Sequence, residues 1–340
     1  MKAIVLAAGK STRTYPLTLT RPKPLLPLLG QPLLSHTLDA LAPVADEAVL
    51  VVGYRADMIR KAFGDDREGL RLTYVVQAEQ RGTADAVAAA RAGVAGDFLI
   101  VNGDDYYAAD NAAALAANPG AAILGAPVQS SGRFGVLRAD DGLLVGIDEK
   151  PEGGGAALVN TGLYKVDENI YHYIDDLATS PRGELEFTAA LEEYAARNPV
   201  AVVAAPAPWL PIATGHDLLA AQLKLWPRGE ATFLGGGDCH LDAAAAVGGR
   251  SVLGCGCRVA AGAMVEASLL LDGVAVGEGA AVAGSVLGEG VIVEGEALLN
   301  GAVVGDGAHV GVAARLESGC RIWPHVKIPA GALVAGDVEE

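Results

Sequence analysis

The chain has 340 residues, about twice the usual length of one domain, so two domains are expected, each with a core of its own. Hydrophobic residues make up 51% and charged residues 19%, which excludes a disordered chain, and no apolar run is long enough to cross a bilayer. With 25 basic against 41 acidic residues the formal net charge is -16, the wrong sign for binding nucleic acid or an anionic membrane surface.

The first apolar run, Met1 to Gly9, superficially resembles a signal peptide. Its apolar core is only about seven residues long, and a polar, proline-rich stretch follows it. A buried first strand is therefore predicted, and with it a cytoplasmic location.

Short aliphatic runs alternate with helical patterns over residues 1–226. The predicted strands are Ile4–Leu6, Ala48–Val52, Leu72–Val76, Phe98–Val101 and Val200–Ala204. The predicted helices are Leu33–Leu41, Ala56–Phe63, Thr83–Ala92, Glu184–Ala195 and Asp217–Leu225, the last with Asp217 as its N-cap. Continuous apolar strands between helices predict a doubly wound, mostly parallel α/β domain of Rossmann-like type, which binds ligands at the carboxyl ends of its strands.

Beyond Trp226 the chain becomes rich in Gly and Ala, and aliphatic residues recur every six positions. One series reads Val274, Ala280, Val286, Ile292, Leu298, Val304, Val310, Leu316, Ile322, Ile328 and Val334. An earlier series with the same period reads Val247, Leu253, Val259 and Val265. This period predicts a left-handed parallel β-helix over residues 227–340, with about eighteen residues in a coil and these positions stacked inside.

The neighbours of the stacked positions predict how this second domain assembles. Val291, Val293, Val303 and Leu333 should point outward and leave apolar surface that a monomer rarely exposes. A homo-oligomer built through the β-helix is therefore expected.

Four cysteines, Cys239, Cys255, Cys257 and Cys320, lie in the last third of the chain. Their spacing does not match a zinc site, so they are predicted to be reduced and buried.

The connection after the first strand combines small residues with positive charge. Leu6, Ala7, Ala8 and Gly9 lead into Lys10, Ser11, Thr12 and Arg13, and two further cations, Arg21 and Lys23, follow. A small-residue turn at the carboxyl end of a strand lets backbone N–H groups approach a phosphate, so a polyphosphate ligand is predicted. The sequence matches neither a Walker A loop nor Gly-x-Gly-x-x-Gly.

A second strand, Phe98 to Val101, ends in Asn102, Gly103, Asp104 and Asp105. Carboxylates at the end of a buried strand can hold Mg²⁺, which prefers oxygen ligands and bridges phosphates. Asp104 and Asp105 are therefore candidate metal ligands.

These residues resemble a known family. Leu6 to Pro27 is similar to the signature of sugar-1-phosphate nucleotidylyltransferases, in particular glucose-1-phosphate thymidylyl- and uridylyltransferases. Further similar segments follow in the same order: Val51–Tyr54, Gln77 with Arg81–Ala84, Asn102–Asp104, Asp148–Pro151, Val159–Gly162 and Arg182–Thr188. The resemblance implies that an oxygen of a sugar 1-phosphate attacks the α-phosphorus of a nucleoside triphosphate and releases pyrophosphate.

The resemblance also implies roles for single residues. Arg13 would hold the triphosphate, Lys23 would contact the reacting phosphates and Asp104 would carry Mg²⁺. The implied nucleotide-binding positions are Leu6, Ala7, Ala8, Gly9, Lys10, Ser11, Thr12, Gln77, Gly82, Thr83 and Gly103. The implied sugar-phosphate-binding positions are Glu149, Lys150, Asn160, Gly162 and Glu184.

Three positions depart from the family pattern. Ser11 stands where the family usually has a second glycine, and Ala189 stands where it commonly has Asp. Pro211 stands where the family commonly supplies a second carboxylate to the metal. Either Asp105 and waters complete the Mg²⁺ shell, or the metal binds weakly.

Three hypotheses about function follow. The first is an active enzyme that joins UTP or dTTP to glucose 1-phosphate, with N-acetylglucosamine or mannose 1-phosphate as alternatives. The second is a regulatory subunit that binds a sugar nucleotide without turnover. The third is a bifunctional enzyme whose β-helix transfers acyl groups, with His240, His309 or His325 as the base.

Overall fold

A computed structural model of the protein describes residues 1–227 and 232–340. The chain forms two compact units. The sheet unit contains Met1–Gly9 and Leu33–Pro211, and the β-helix unit contains Lys10–Pro32 and Ile212–Glu340. The expected division into domains 1–226 and 227–340 stays a prediction, and residues 228–231 beside it lie outside the described residues.

The sheet unit is built on one ten-stranded sheet with strand order β10-β11-β13-β9-β12-β7-β1-β4-β6-β5. Its strands are β1 Lys2–Ala7, β4 Glu47–Val52, β5 Asp66–Arg67, β6 Leu70–Val76, β7 Phe98–Asn102, β9 Ala121–Val128, β10 Gly135–Asp140, β11 Leu143–Glu149, β12 Ala157–Val166 and β13 Val200–Ala204, and a separate pair joins β8 Tyr106–Tyr107 to β14 Trp209–Leu210. Its helices are α1 Leu33–Leu41, α2 Ala56–Phe63, α3 Thr83–Ala89, α4 Ala109–Ala117, α5 Ile170–Asp175 and α6 Phe187–Ala195, with a 3-10 turn at Arg91–Gly93.

The predicted parallel core of this sheet is confirmed. β7, β1, β4 and β6 are parallel neighbours, and β13 lies parallel to β9. The aliphatic runs of β1, β4 and β7 are largely buried because both faces of a parallel sheet are covered. Strand β9, the antiparallel strands β10, β11 and β12, and helices α4 and α5 were absent from the sequence prediction.

The β-helix unit has three parallel sheets, here called faces I, II and III. Face I contains β15 Phe233–Gly235, β18 Ser251–Leu253, β21 Leu269–Leu270, β24 Val286–Leu287, β27 Val303–Val304, β30 Arg321–Ile322 and β33 Asp337–Val338. Face II contains β16 His240–Leu241, β19 Arg258–Val259, β22 Ala275–Val276, β25 Ile292–Val293, β28 His309–Val310 and β31 Lys327–Ile328. Face III contains β17 Ala246–Gly248, β20 Met264–Glu266, β23 Ala281–Ala283, β26 Leu298–Asn300, β29 Arg315–Leu316 and β32 Leu333–Val334. The predicted left-handed β-helix is confirmed.

The six-residue series predicted to run without a break from Val274 to Val334, after a slip near Leu271, is wrong in its middle. Leu253, Leu270, Leu287 and Val304 pair in succession, so these coils advance by 17 residues rather than by 18. The shorter coil turns Ile292 outward, where it is 47% exposed.

Because of this shift, the expected outward residues also differ. Val291 and Val293 lie in the buried core rather than on the surface. Val303 is buried too, because the backbone of Gly215 lies against it. Leu333 is 67% exposed, as predicted.

The same unit contains helix α7, Gly215–Lys224, and residues Lys10–Pro32. The N-cap of α7 is Thr214, not Asp217 as predicted. Asp217 lies three residues further on, and its carboxylate accepts a hydrogen bond from the backbone N–H of Thr214, which completes a capping box. Lys10–Pro32 forms 3-10 turns at Thr12–Thr14, Leu17–Leu19 and Lys23–Leu25 and a hairpin of β2 Pro27–Leu28 and β3 Gln31–Pro32.

The four cysteines are free thiols in the structure. Cys257 and Cys320 are buried, whereas Cys255 is exposed, which corrects the prediction for that residue. Burial raises the pKa of the Cys257 thiol to about 11, so this thiol stays protonated at neutral pH. In the described ranges no helix has both the length and the apolar character that a membrane span requires.

Candidate active site

The carboxyl ends of three parallel strands form the centre of the candidate site in the sheet unit. In the register of β1 with β7, Leu6 lies opposite Asn102, and the N–H of Gly103 donates to the carbonyl oxygen of Leu6 over 2.9 Å. A Cβ on Gly53 would lie 2.9 Å from the carbonyl oxygen of Ala8. Small residues are therefore required here, since the backbones that end these strands are in close contact.

Gln77 and Gly82, the two positions implied to read the base, lie together. Gln77 follows β6 and is buried, and its amide nitrogen donates to the carbonyl oxygen of Gly82 over 3.1 Å and to Asp85 over 2.8 Å. A Cβ on Gly82 would lie 2.4 Å from the carbonyl oxygen of Leu185. Only glycine therefore fits at position 82.

Thr83 and Glu184 lie beside this turn. The hydroxyl of Thr83 accepts a hydrogen bond from the N–H of Phe187 over 2.9 Å, at the start of α6. Glu184 is exposed, and its carbonyl oxygen accepts from the N–H of Ser180. These bonds hold the loop that precedes α6 against the Gly82 turn.

Gln80 is a site residue that sequence reasoning missed. Its side-chain amide donates to the carbonyl oxygen of Ala8 over 2.8 Å, and the N–H of Tyr54 donates to the same oxygen over 3.1 Å. Gln80 therefore joins the Gly82 turn to the end of β1. Its place between Gln77 and Gly82 in the sequence is the signal that could have identified it.

Glu149 and Asn160, implied to hold the sugar, are also brought together. They lie on either side of Gly135, where an added Cβ would be 3.0 Å from Oε2 of Glu149 and 3.9 Å from Cβ of Asn160. The Asn160 side chain is oriented by two hydrogen bonds: its Oδ1 accepts from the N–H of Gly162, and its Nδ2 donates to the Tyr164 hydroxyl. Burial raises the pKa of Tyr164 to about 12, so that hydroxyl remains neutral.

The charges around Glu149 form a small cluster. Lys150 Nζ and Arg182 Nη2 each lie 3.4 Å from Oε1 of Glu149. Arg182 also forms a two-point ion pair with Glu186, over 3.1 and 2.8 Å. Arg182 and Glu186 belong to the segment Arg182–Thr188 that resembles the family, but they were not predicted as site residues. Their opposite charges, four positions apart, were the available signal.

Gly162 connects the sugar side of the site to the metal side. Its φ is +80°, and an added Cβ would lie 2.1 Å from the amide nitrogen of Asn102. Asn102 immediately precedes Gly103 and Asp104 in the chain. Because Gly162 has no side chain, Asn102 at the end of β7 can lie directly against it.

The candidate metal ligands follow β7. Both carboxylates lie near the buried Tyr107 hydroxyl, whose pKa is well above its ordinary value because of burial and because of Asp105 and Asp104. β14 pairs with β8 so that Leu210 is opposite Tyr106, and one further step in that register places Pro211 opposite Asp105.

The side chains beside Asp104 and Asp105 determine which kind of divalent ion could bind here. Pro211 occupies the place beside Asp105 and has no side-chain ligand to offer. Across residues 1–227 and 232–340, no cluster of three or more His, Cys, Asp or Glu side chains could hold a metal. Two adjacent carboxylates with water in the other positions suit a hard ion that retains its waters, so the residues fit Mg²⁺ and do not fit an all-protein cage.

The segment of residues 10–26, here called the signature loop, belongs to the β-helix unit. It contains the predicted site residues Lys10, Ser11, Thr12, Arg13 and Lys23. Ser11 adopts the left-handed conformation with φ 52°, which explains the glycine usual in the family. The carbonyl oxygen of Ser11 accepts from the backbone N–H and hydroxyl of Thr14 and from the hydroxyl of Thr18. Arg13 is exposed, and Lys23 is buried.

Of the four predicted loop cations, Arg21 has a different environment from the one expected. Its guanidinium is paired with Asp306 and Glu289 of the β-helix over 2.5 and 3.0 Å. Arg21 is therefore part of the support of the loop.

Comparisons with known proteins agree with this arrangement. Residues 2–226 match the family model "Nucleotidyl transferase", and residues 233–337 match the model "GMPPB C-terminal domain". The bifunctional protein GlmU of Methanococcus maripaludis is 32% identical over 225 residues, covering 65% of this chain and 54% of that protein. The chain thus spans about half the length of that relative.

Two further relatives match a larger share of their own length. The UTP–glucose-1-phosphate uridylyltransferase AglF of Haloferax volcanii is 34% identical over 200 residues, covering 56% of this chain and 82% of that protein. A crystal structure from Bacillus anthracis, assigned as a glucose-1-phosphate thymidylyltransferase in complex with sucrose, has a TM-score of 0.61 and 27% identity and covers 68% of this chain and 97% of that one. The family model alone covers well over half of the chain. This chain therefore belongs to the nucleotidyl transferase family.

Proposed function

We propose that the protein is a sugar-1-phosphate nucleotidylyltransferase. The observation that carries the proposal is the junction of three strand ends in the sheet unit, where Gly103 and the carboxylate-bearing Asp104 follow β7 directly beside the Leu6–Ala8 end of β1. Ligands of doubly wound sheets bind at such strand ends. Phosphates approach closely where side chains are small.

On the nucleotide side, the base contacts the Gln77 and Gly82 turn, and the phosphates contact the backbone that follows β1. Arg13 holds the triphosphate and stabilises the departing pyrophosphate, and Lys23 contacts the reacting phosphates. These two roles rest on the family resemblance and on the chemistry of cations with phosphate.

On the sugar side, Glu149 and Asn160 hold hydroxyl groups of the sugar, and Lys150 meets its phosphate. The support is that Glu149 and Asn160 flank the space left by Gly135. The hydrogen bonds of Asn160 to Gly162 and Tyr164 fix its side chain in advance of binding.

Nucleotidyltransferases of this family generally use a divalent metal ion. We assign Mg²⁺, held by Asp104 and Asp105 with waters in its remaining positions. When bound, it would neutralise charge on the phosphate oxygens.

In the reaction, an oxygen of the sugar 1-phosphate forms a bond to the α-phosphorus of the nucleoside triphosphate. The bond from the α-phosphorus to the bridging oxygen breaks, and the β- and γ-phosphates leave as pyrophosphate. The attacking phosphate is already ionised at neutral pH, so the protein has little covalent work and acts by positioning and by charge stabilisation.

We propose UTP or dTTP with glucose 1-phosphate as the substrates, since AglF is a UTP–glucose-1-phosphate uridylyltransferase and the similar crystal structure is assigned as a glucose-1-phosphate thymidylyltransferase. N-acetylglucosamine 1-phosphate and mannose 1-phosphate are the alternatives to test beside it. A cytoplasmic location and a homo-oligomer formed through the β-helix complete the proposal.

The test is release of pyrophosphate with Mg²⁺, measured for UTP, dTTP, GTP, ATP and CTP against the three sugar 1-phosphates. One pair should turn over, and Asp104→Asn should reduce its turnover by at least about a hundredfold because charge stabilisation is lost. Asp110→Asn, an exposed carboxylate at the start of α4, is the matched control and should leave turnover unchanged.

Absence of turnover with every pair would contradict the enzyme. If calorimetry then showed tight binding of a sugar nucleotide, the regulatory-subunit hypothesis would replace it. Pro211→Asp would be the first substitution to make in that case, because it restores a carboxylate beside Asp105.

A further inference from the structure

Three acidic residues are stacked at one corner of the β-helix. Asp272, Glu289 and Asp306 each follow a strand of face I and are 17 positions apart. Asp306 Oδ1 accepts a hydrogen bond from the N–H of Glu289 over 2.8 Å, and Asp272 Oδ1 accepts one from the N–H of Cys255 over 2.8 Å. Asp272 and Asp306 therefore accept the same kind of backbone hydrogen bond in two different coils.

Within residues 1–227 and 232–340, Glu289 and Asp306 form ion pairs with the signature loop, residues 10–26, and no such pair is found for Asp272. Arg21 Nη2 lies 2.5 Å from Asp306 Oδ2 and 3.0 Å from Glu289 Oε2, and the Thr20 hydroxyl donates to Asp306 Oδ2 over 2.7 Å. The side chains of Arg21 and Asp306 are 16% and 13% exposed, whereas that of Glu289 is 59% exposed. Solvent therefore screens the Arg21–Asp306 ion pair less than the Arg21–Glu289 ion pair, and the Arg21–Asp306 pair holds the loop more strongly.

The anchored segment has little regular structure of its own. Between Lys10 and Leu26 it forms only three 3-10 turns of three residues each. Leu17 lies 3.4 Å from where a Cβ on Gly215 would be, which is its packing contact with α7. A segment of this kind keeps one position only where contacts outside it hold it.

The anchor is next to the proposed phosphate-binding lysine. Lys23 follows Arg21 by two residues and lies between Pro22 and Pro24. Proline fixes the backbone φ, so a displacement of Arg21 is transmitted to Lys23 rather than absorbed between them.

We propose that Asp306, acting through Arg21, is a positioning residue for the signature loop, so that a carboxylate of the β-helix sets where Lys23 meets the nucleotide. The part that concerns Lys23 rests on the proposed function. The β-helix is then a support for catalysis and not only an assembly domain. The coil itself does not need the ion pair, because Asp272 accepts the same kind of backbone hydrogen bond and has no arginine partner among the described residues.

The kinetic test compares Asp306→Asn with the matched control Asp272→Asn. Asparagine retains an oxygen for the backbone cap in both variants, and only the first loses charge beside Arg21. Asp306→Asn should raise the KM for the nucleotide about tenfold, because small misplacements of binding groups have large effects. The KM for the sugar 1-phosphate should not change, since Glu149 and Asn160 belong to the sheet unit, and Asp306→Glu should restore part of the loss.

A role in folding alone predicts a different result. Loss of folded protein lowers the apparent kcat and leaves both KM values unchanged. That result, or identical kinetics for Asp306→Asn and Asp272→Asn, would overturn the proposal.

Hydrogen exchange tests the anchor without any turnover. Asp306→Asn should speed exchange at the N–H groups of Leu19, Leu25 and Leu26, which close the turns of the loop, and Asp272→Asn should not. If the unaltered protein showed no turnover but this difference appeared, the proposed function would fail while the anchor stood. Equal exchange in the two variants would overturn the anchor itself.

Discussion

At the scale of single residues, the space around one glycine is predicted to control the metal side of the site. Gly162 and Gly142 have nearly the same φ, +80° and +78°, but only Gly162 has a neighbour, Asn102, where a side chain would begin. Both alanine variants should lose about 1 kcal/mol of stability from left-handed strain. Gly162→Ala should in addition lower kcat by at least about tenfold, because it displaces the residue before Gly103 and Asp104.

Denaturant unfolding and pyrophosphate release measure the two effects of these substitutions separately. Gly142→Ala is the control for strain and should keep full turnover. Equal turnover in Gly162→Ala and Gly142→Ala would show that Asn102 can move away without consequence for the site.

Glu186 gives a prediction about pH. Burial pushes its pKa up, but hydrogen bonds from Ser180 and Arg182 outweigh burial and hold the pKa below its ordinary value of 4.5. A carboxylate with a lowered folded pKa stabilises the protein above the ordinary value and loses that effect as the pH falls through the folded value. The stability difference between the unaltered protein and Glu186→Gln should therefore be largest above pH 4.5 and shrink below it.

Urea unfolding at a series of pH values measures this difference. Glu152→Gln, at an exposed position with no ion pair found within the described ranges, is the control and should show a small difference at every pH. A Glu186→Gln difference that stays the same at acid and neutral pH would contradict the prediction.

Chain order alone indicates where some of the predicted site residues lie in the sheet. Gln77 and Gly103 lie directly after strands, and their backbone N–H groups meet Val52 and Leu6, which parallel pairing alone brings near. Gln80 and Arg182 were missed because their partners, Ala8 and Glu149, are 72 and 33 positions away, and no local pattern marks such a pair.

At the scale of elements, a column of serines explains the 17-residue coils and is open to test. The column consists of the buried residues Ser251, Ser268 and Ser285. Their hydroxyl oxygens accept hydrogen bonds from the backbone N–H groups of Ser268, Ser285 and Ala302, each in the next coil. Ser268→Ala removes the acceptor of the Ser285 N–H. A buried donor left unpaired costs about 1 to 3 kcal/mol, so this variant should unfold at a correspondingly lower denaturant concentration.

Ser318→Ala is the matched control in the same domain, because Ser318 is exposed. It should have the denaturation midpoint of the unaltered protein. If Ser268→Ala and Ser318→Ala had the same denaturation midpoint, the serine column would have no part in the stability of the coils.

The same column shows why the predicted register failed. A six-residue aliphatic period is compatible with coils of 17 and of 18 residues over short distances, because inward positions occur in pairs two residues apart. The spacing of 17 between the buried serines, and again between Asp272, Glu289 and Asp306, contains the missing information. The coil from Val304 to Ile322, beyond the serine column, returns to 18 residues.

Strands β10 to β12 were missed for a different reason. Burial alternates along β10 and β11, as in β11, where Leu144 is buried and Val145 is 56% exposed, whereas residues 161–166 of β12 are all buried. A continuous apolar run identifies only strands buried on both faces, and in β12 such a run is interrupted by Asn160, Thr161 and Lys165.

At the scale of the whole molecule, the compact units do not follow the order of the chain. Arg21 is 268 and 285 positions from its partners Glu289 and Asp306, yet these contacts hold Lys10–Pro32 in the β-helix unit. Local sequence patterns predict elements and therefore assign this loop to the domain that surrounds it in sequence. Only a tertiary structure can assign it to the β-helix.

The expected homo-oligomer is a prediction for the whole molecule, and the corrected register changes the surface that it uses. Face III carries an outward column of Met264, Ala281, Leu298, Arg315 and Leu333, in which the large apolar side chains Met264, Leu298 and Leu333 are 55%, 41% and 67% exposed. Apolar side chains in one column favour burial against another copy. The net charge of -16 opposes that association, so the oligomeric fraction should rise with salt as the repulsion is screened.

Multi-angle light scattering measures the mass of the assembly and tests the role of face III. Met264→Glu with Leu298→Glu should lower the mass to that of a monomer, because four carboxylates or more would have to be buried in each pairwise contact through this face. Val145→Glu changes an equally exposed apolar residue of the sheet unit and should leave the mass unchanged. A monomeric mass for the unaltered protein at every salt concentration would refute the oligomer, and an unchanged mass in the double variant would exclude face III as its interface.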